Sequence, residues 1–184
     1  IAQGVLGDCW FLAALAGMAE FEGSVFNLFQ EKKVTPDGKY TINIFNVGNK
    51  LWEAVTIDDF VPLGPNGDPM MAKPQDNEMW VLLLEKAFAK WFGSYCQIQG
   101  AYCLVGYLLL TDAMHCKAFT QNPQGRNPFN KDVYHNMSAQ LQDAHNRNSV
   151  RLAPNGQLGH DQVWAELCQA DASNHSMCAW TSKD

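Results

Sequence analysis

The segment from Gln3 to Leu15 restricts the possible folds of this chain more than any other segment. Two glycines and an aspartate precede a cysteine, and an uninterrupted apolar run follows it. This order predicts a glycine-bearing turn, an N-cap at Asp8 and a buried helix that begins near Cys9 and reaches about Glu20. A cysteine in the first turn of a helix is favoured as the thiolate, which is the form that attacks carbonyl carbons.

Gln3 lies six residues before Cys9, on the other side of the glycines. Its side-chain amide could donate to the oxyanion that forms when a thiolate attacks a carbonyl group. The alternative is that Cys9 is a small apolar residue that opens a core helix, since most buried cysteines are inert. The residues alone leave both interpretations open.

The run Gln-Gly-x-x-Gly-Asp-Cys-Trp-Phe-Leu-Ala-Ala-Leu resembles the nucleophile motif of the calpain family, and it is related to the papain-type Cys-Gly-Ser-Cys-Trp signature. The resemblance implies that Cys9 is the nucleophile and Gln3 the oxyanion-hole donor. It also implies that Trp10 packs beneath the nucleophile, beside the substrate cleft. The implied fold is α+β: a mainly helical lobe with a small antiparallel β-hairpin, the nucleophile lobe of a papain-like cysteine peptidase.

Bulk composition limits the classes of function. A net charge of −6 argues against a nucleic-acid partner, and no apolar run approaches the length of a membrane span. The six cysteines include no Cys-x-x-Cys pair and no zinc-type spacing, which favours reduced thiols in an intracellular, cytoplasmic protein. Because the motif stands at the start of the chain, we interpret residues 1–184 as one calpain-like catalytic lobe truncated at both ends.

Hydrophobic periodicity predicts one hairpin and several helices. Alternating residues predict strands at Lys39–Asn46 and Leu51–Ile57. A helix is predicted at Asn77–Phe92, with Asn77 as its cap, Trp80 and Trp91 in its buried stripe and Gly93 as the residue that ends it. A core helix is predicted at Cys103–Leu110 and a solvated helix at Lys131–Asn146. A last helix is predicted at Asp161–Ala172, with Val163, Trp164 and Leu167 facing inward. A short amphipathic segment is predicted at Ser24–Gln30.

The stretch from Asn77 to Tyr95 is a second calpain-like region. In that family a glutamate at the start of this helix can ligate a calcium ion that aligns the two halves of the protease. The resemblance therefore implies that Glu78 is a metal ligand and that calcium is a cofactor, and oxygen ligands suit calcium. The alternative is that Glu78 only complements the helix dipole.

The expected substrate cleft departs from the family pattern. Gly100 and Ala101 stand where calpains usually have a cleft-lining glycine pair, and Thr111-Asp112-Ala113 stands where many have Thr-Gly-Gly. Alanine can replace a cleft glycine unless a positive φ is needed. These departures support a rival interpretation, in which the chain is a non-catalytic calpain-like module kept for protein binding, whereas the intact motif around Cys9 opposes it.

A cysteine peptidase also needs a histidine base and a group that orients it. His145 falls within papain-type spacing from Cys9, and His160 falls just beyond it. Neither stands in the Gly-His-Ala-Tyr-like context of calpains, and the chain contains no Asn-Pro-Trp motif. We therefore expect a second catalytic lobe outside this chain to supply base and orienter. The intact enzyme would be a calcium-dependent endopeptidase acting on protein substrates, and this chain alone would be inactive.

Overall fold

The computed structural model describes residues 1–74, 78–112, 115–118, 149–152 and 160–178. Within these ranges the helices are α1 (Cys9–Ala19), α2 (Trp80–Phe92), α3 (Cys103–Thr111) and α4 (His160–Ala172). The strands are β1 (Lys39–Asn46), β2 (Leu51–Asp58), β3 (His115–Ala118) and β4 (Ser149–Leu152), and short 3₁₀ turns lie at Phe26–Leu28 and Tyr95–Ile98. The predicted α+β class is confirmed. None of the helices in the described ranges is both long and apolar enough to cross a membrane.

Helix α1 is the central helix of the core. It begins at Cys9 as predicted and ends at Ala19, and its apolar side chains are buried on most sides. It packs against α3 at Gly106, where an added Cβ would lie 2.6 Å from the Cβ of Ala14. A larger residue at position 106 would therefore push the two helices apart.

The predicted β-hairpin is confirmed, with β2 extending one residue further, to Asp58. Strands β1 and β2 pair antiparallel, from Lys39 opposite Asp58 to Asn46 opposite Leu51. Ile42 and Ile44 are fully buried, because this face of the hairpin packs against α2 and α3. The hairpin thus covers α2 and α3.

Helix α2 ends as predicted, at Gly93, whose φ of +104° suits a residue without a side chain. Its start differs from the prediction: Asn77 lies outside the described residues, and Met79 holds the N-cap position. Trp80 and Trp91, expected in the buried stripe, are only half-buried. Glu85, which the prediction left outside the buried face, is 1% exposed.

The helix predicted at Asp161–Ala172 is present, but the burial predicted for its apolar side chains is wrong. Helix α4 extends from His160 to Ala172, yet Trp164 is 69% exposed and Leu167 is 37% exposed, while Val163 is half-buried. Periodicity identifies an apolar face but not the surface that covers it. The segment after α4 contacts the core: Ser176 Oγ donates to the carbonyl of Gly17 at 3.2 Å.

Three further predictions have different outcomes. The segment Ser24–Gln30 contains only the 3₁₀ turn at Phe26–Leu28. The predicted helix at Lys131–Asn146 lies outside the described residues. Strands β3 and β4 pair in parallel and were not predicted, since four-residue strands carry too little alternation to be recognised.

Candidate active site

The loop before Cys9 is fastened to the segment 70–73. Val5 N–H donates to the carbonyl of Met70 at 2.9 Å, and Lys73 N–H donates to the carbonyl of Ala2 at 2.8 Å. Gly4 passes so close that an added Cβ would lie 1.7 Å from the carbonyl oxygen of Met71. The first glycine of the motif is therefore required by packing, because only a residue without a side chain fits there.

Cys9 is the first residue of α1, and its side chain is an exposed free thiol. The backbone carbonyl of Asp8 starts the helix by accepting from the N–H groups of Phe11 and Leu12, at 2.8 and 3.2 Å. The sulfur thus lies at the N-terminal end of a helix and within reach of solvent. The alternative that Cys9 is a buried core residue is wrong.

Gln3 is exposed and lies on the loop that precedes Cys9. Its Nε2 donates to the carbonyl of Leu6, so the side chain folds back across the glycine-bearing turn. A side-chain amide has two N–H donors, and this contact uses one of them. The position is compatible with an oxyanion donor, and that role remains a prediction.

The segment that contains Gly100 is tied to both sides of Cys9. Trp10 Nε1 donates to the carbonyl of Ile98 at 2.9 Å, and Gly100 N–H donates to the carbonyl of Gly7 at 2.9 Å. Trp10 is 2% exposed, so its indole lies beneath the site, and contact with substrate at Trp10 remains a prediction. Gly100 has a φ of +66°, a conformation that glycine adopts without strain.

Ala101 and Asp112 stand where the family pattern has glycine, and the two positions differ in backbone strain. Ala101 is half-buried and is not among the described non-glycine residues with positive φ. Alanine therefore fits there without strain. Asp112 has a φ of +53° where the family often has glycine, which costs a non-glycine residue roughly 1 kcal/mol. Helix α3 tolerates this, since Asp112 N–H still donates to the carbonyl of Leu108 at 3.0 Å.

The carboxylate of Asp8 does not cap α1 as predicted. Asp8 is fully buried, and no side-chain capping bond forms. Its carboxyl oxygens receive no hydrogen bond from the described residues, and the neighbouring buried carboxyl group is that of Glu85, which accepts from Ala72 N–H at 3.0 Å on both oxygens. Burial raises the pKa of Asp8, and burial together with the neighbouring Asp8 carboxyl group raises the pKa of Glu85 to about 8.

Sequence reasoning missed Glu85, although a signal was present. Glu85 lies four residues after Val81, three after Leu82 and four before Ala89, all buried. A carboxylate on such an apolar line is expected to find a polar contact inside the protein.

The histidine alternatives are not decided by the described residues. His145 lies outside them. His160 is the first residue of α4, in line with the prediction that a helix rather than a strand begins there. A base supplied by a second lobe therefore remains a prediction.

Glu78 lies two residues before α2 and is exposed, and its Oε2 accepts from Trp80 Nε1 at 2.9 Å. Calcium takes about six to eight oxygen ligands. Among the residues that the structure describes, no group of three or more His, Cys, Asp or Glu side chains could hold a metal ion. The role of Glu78 as a calcium ligand therefore remains a prediction.

An open pocket of about 430 Å³ lies at the opposite end of α1 from Cys9. Its lining contains no ionisable side chain, so it offers no nucleophile, acid or base. It is lined by Met18, Ser24, Asn27, Leu28, Asn43, Trp52, Leu110 and Thr111. The candidate active site is therefore the surface around Cys9.

Comparison with known proteins decides the family. A family model described as "Calpain family cysteine protease" matches residues 1–179. The chain belongs to the calpain family of cysteine proteases. The resemblance seen in the motifs around Cys9 and α2 is thereby confirmed.

Individual calpains show how much of each protein the match covers. The chain is 35% identical over 131 residues to the calpain-type cysteine protease DEK1 of Zea mays, which is 68% of this chain and 6% of that protein. It is 37% identical over 107 residues to calpain clp-1 of Caenorhabditis elegans, and 38% identical over 101 residues to the calpain-1 catalytic subunit of Mus musculus. These two matches cover 54% of this chain and 13% and 14% of the relatives. The chain thus spans a small part of the calpains that it matches.

Proposed function

We propose that Cys9 is the nucleophile of a calpain-type cysteine endopeptidase. The observation that carries the proposal is an exposed thiol at the N-terminus of α1, within a family match that covers residues 1–179. A helix N-terminus stabilises a thiolate, and a thiolate attacks carbonyl carbons.

The reaction follows from the groups around the sulfur. The Cys9 thiolate attacks a backbone carbonyl of a protein substrate, and the carbonyl oxygen becomes an oxyanion. The second N–H of the Gln3 amide and the backbone N–H of Cys9 donate to that oxyanion. Collapse of the tetrahedral intermediate breaks the C–N bond, the amine leaves with a proton from a histidine, and water then hydrolyses the thioester.

The histidine and its orienting group would come from a second catalytic lobe outside residues 1–184. Gly100 and Ala101 would line this lobe's side of the substrate cleft, because Gly100 is bonded to Gly7, two residues before the nucleophile. An extended substrate approaches glycine backbone closely. On this proposal the chain alone hydrolyses no peptide, although its thiol still reacts with electrophiles.

Calcium dependence belongs to the intact enzyme on this proposal, with Glu78 as one ligand and the other ligands supplied from elsewhere. An intracellular location also stays a proposal, consistent with a cysteine nucleophile that must remain reduced. No step of the proposed reaction depends on the metal.

The rival, a non-catalytic protein-binding module, has less support than the peptidase. It rests on the replacements at Ala101 and Asp112-Ala113, of which Ala113 lies outside the described residues. Ala101 is accommodated without backbone strain, and Asp112 leaves α3 intact. Neither replacement therefore distorts the backbone near Cys9.

A peptidyl electrophile, such as a peptidyl epoxide, distinguishes the two functions. The 184-residue chain is treated at neutral pH, and each cysteine is followed by mass spectrometry. We expect Cys9 to be labelled before Cys96, which is also exposed and serves as the internal control. Labelling should be lost in Cys9→Ser and kept in Cys96→Ser. Equal labelling of both cysteines would contradict the assignment of Cys9 as the nucleophile.

A further inference from the structure

The Asp8–Glu85 pair has no role in the reaction described above. Asp8 is 0% exposed and Glu85 is 1% exposed. Burying an ionised carboxylate without a cation is costly. The ion pairs of the described residues, Lys39–Asp37 and Lys86–Asp58, do not include either acid. The free-energy cost of burying these two carboxyl groups must therefore be reduced by something other than pairing with a cation.

The two buried carboxyl groups are neighbours, and a hydrogen bond between them would require a proton. An ionised carboxylate only accepts hydrogen bonds, so two carboxylates in contact form one only when one of them is protonated. Among the described residues, no N–H or hydroxyl group donates to either oxygen of Asp8. Glu85, in contrast, receives Ala72 N–H at 3.0 Å. A proton held between the two carboxyl groups would give the buried Asp8 carboxyl group the hydrogen-bond partner that it otherwise lacks.

We propose that Asp8 and Glu85 share one proton in the folded protein, and that this pair holds the start of the Cys9 helix in position. Three segments meet at it. The Asp8 carbonyl starts α1, Glu85 lies in the middle of α2, and Ala72 belongs to the 70–73 segment that fastens the loop before Cys9. The inference rests on the proposed function only in treating Cys9 as the nucleophile.

The surrounding charges are consistent with a single shared proton. Tyr95, in the turn after α2, is an ionisable group that interacts with both acids. Burial, together with the charges of Glu85, Asp58 and Asp8, raises the pKa of Tyr95 to about 12, so its phenol stays neutral. Tyr95 therefore adds no charge beside the pair near neutral pH.

The pH dependence of stability has a definite sign. The pKa of each acid is raised above its value in the unfolded chain, and that of Glu85 reaches about 8. The folded chain therefore holds one proton more than the unfolded chain between about pH 5 and pH 8. The stabilisation is complete below the unfolded pKa values and is lost as the pH rises through about 8.

The first test is urea unfolding of the 184-residue chain across that pH range. The variants are Glu85→Gln and Asp8→Asn, whose amides replace the shared proton with permanent donors. Exposed Glu20→Gln is the matched control. The unfolding equilibrium constant should rise about tenfold more per pH unit in the wild type than in either amide variant. This factor corresponds to the release of one proton on unfolding. Equal slopes in the wild type and both amide variants would overturn the shared proton.

Infrared spectroscopy keeps the proposal testable even if an amide variant fails to fold. The folded wild-type chain at about pH 6 should show the carbonyl stretch of a protonated carboxylic acid, which exposed acids no longer show at that pH. The band should disappear as the pH is raised past about 8. A spectrum without such a band would show that both acids are ionised, and it would contradict the proposal.

The positioning role is tested at the thiol. Glu85→Leu removes the acceptor for Ala72 N–H and the hydrogen bond to Asp8, whereas Glu85→Gln keeps a polar contact. Cys9 alkylation should slow severalfold in the folded leucine variant and recover in the glutamine variant, with Cys96 unchanged in both. Unchanged Cys9 alkylation in folded Glu85→Leu would overturn the positioning role. Failure of Cys9 as the nucleophile would appear instead in the peptidyl-electrophile experiment, and the unfolding slopes would be unaffected.

Discussion

The indole Nε1 of Trp10 donates a hydrogen bond to the backbone carbonyl of Ile98 at 2.9 Å. This bond joins the helix that carries Cys9 to the segment that leads into Gly100. Both residues are buried, so each polar group relies on the other. The residue after Cys9 therefore connects the two sides of the candidate site.

Replacing Trp10 with phenylalanine should lower the free energy of unfolding. The change leaves the buried Ile98 carbonyl without this donor, and an unsatisfied buried group costs about 1–3 kcal/mol. Trp164→Phe is the matched control, because Trp164 is 69% exposed and should change stability by less than about 0.5 kcal/mol. Urea unfolding of both variants measures the difference. Equal effects would contradict the structural role given to Trp10.

Gly4 and Gly7 provide a matched pair within one loop. An added Cβ at Gly4 would lie 1.7 Å from a backbone oxygen, whereas none of the atoms surveyed comes within 4 Å at Gly7. Gly4→Ala should cost about 1–3 kcal/mol by overpacking. Gly7→Ala should stay within about 0.5 kcal/mol. Thermal or urea unfolding gives both values, and a tolerated alanine at position 4 would show that the loop is not fastened to the 70–73 segment as described.

Glu53 should contribute to the loss of stability in acid. Hydrogen bonds from Trp91 Nε1 and from Asn46 lower the pKa of Glu53 below its ordinary value of 4.5. Its stabilisation is therefore present above about pH 4.5 and disappears as the pH falls through the lowered pKa. In Glu53→Gln the free energy of unfolding should fall less steeply with acid than in the wild type. If the free energy of unfolding fell equally steeply with acid in both proteins, these contacts would not hold Glu53 ionised.

Calcium should affect this chain weakly, because Glu78 is only one candidate ligand. Trp80 Nε1 donates to the Glu78 carboxylate, so calcium capture there should alter tryptophan fluorescence. We expect no saturable change below roughly millimolar calcium. Glu78→Gln is the control, since it keeps an oxygen acceptor for Trp80 and removes the charge. A saturable micromolar response that Glu78→Gln abolishes would show that the chain holds a complete site.

Local patterns predicted the elements well. The apolar run after Cys9, the alternation at Lys39–Asn46 and the stop at Gly93 each depend on neighbouring residues, and all three are confirmed. The failures concern contacts between distant parts of the chain. Trp164 lies on an apolar helix face, yet it is exposed, because periodicity does not identify the covering surface.

In the candidate site, too, the local feature was predicted and the contact between distant residues was not. The position of Cys9 at the start of α1 follows from the local sequence, and the structure bears it out. The contact between Asp8 and Glu85 joins residues 77 positions apart, and no local rule pairs them. An aspartate before a helix is normally interpreted as a cap, and burial against α2 overrode that preference here.

The pH dependence of Cys9 alkylation tests the central claim most directly, namely that Cys9 is a helix-end nucleophile whose histidine lies outside this chain. Mass spectrometry follows Cys9, with Cys96 as the internal reference. The account predicts that Cys9 reacts faster than Cys96 and that its rate keeps rising towards about pH 8, since only the helix end assists the thiolate. A fast rate already level by about pH 5–6, and lost in His160→Ala or His145→Ala, would contradict the account by locating the base within this chain.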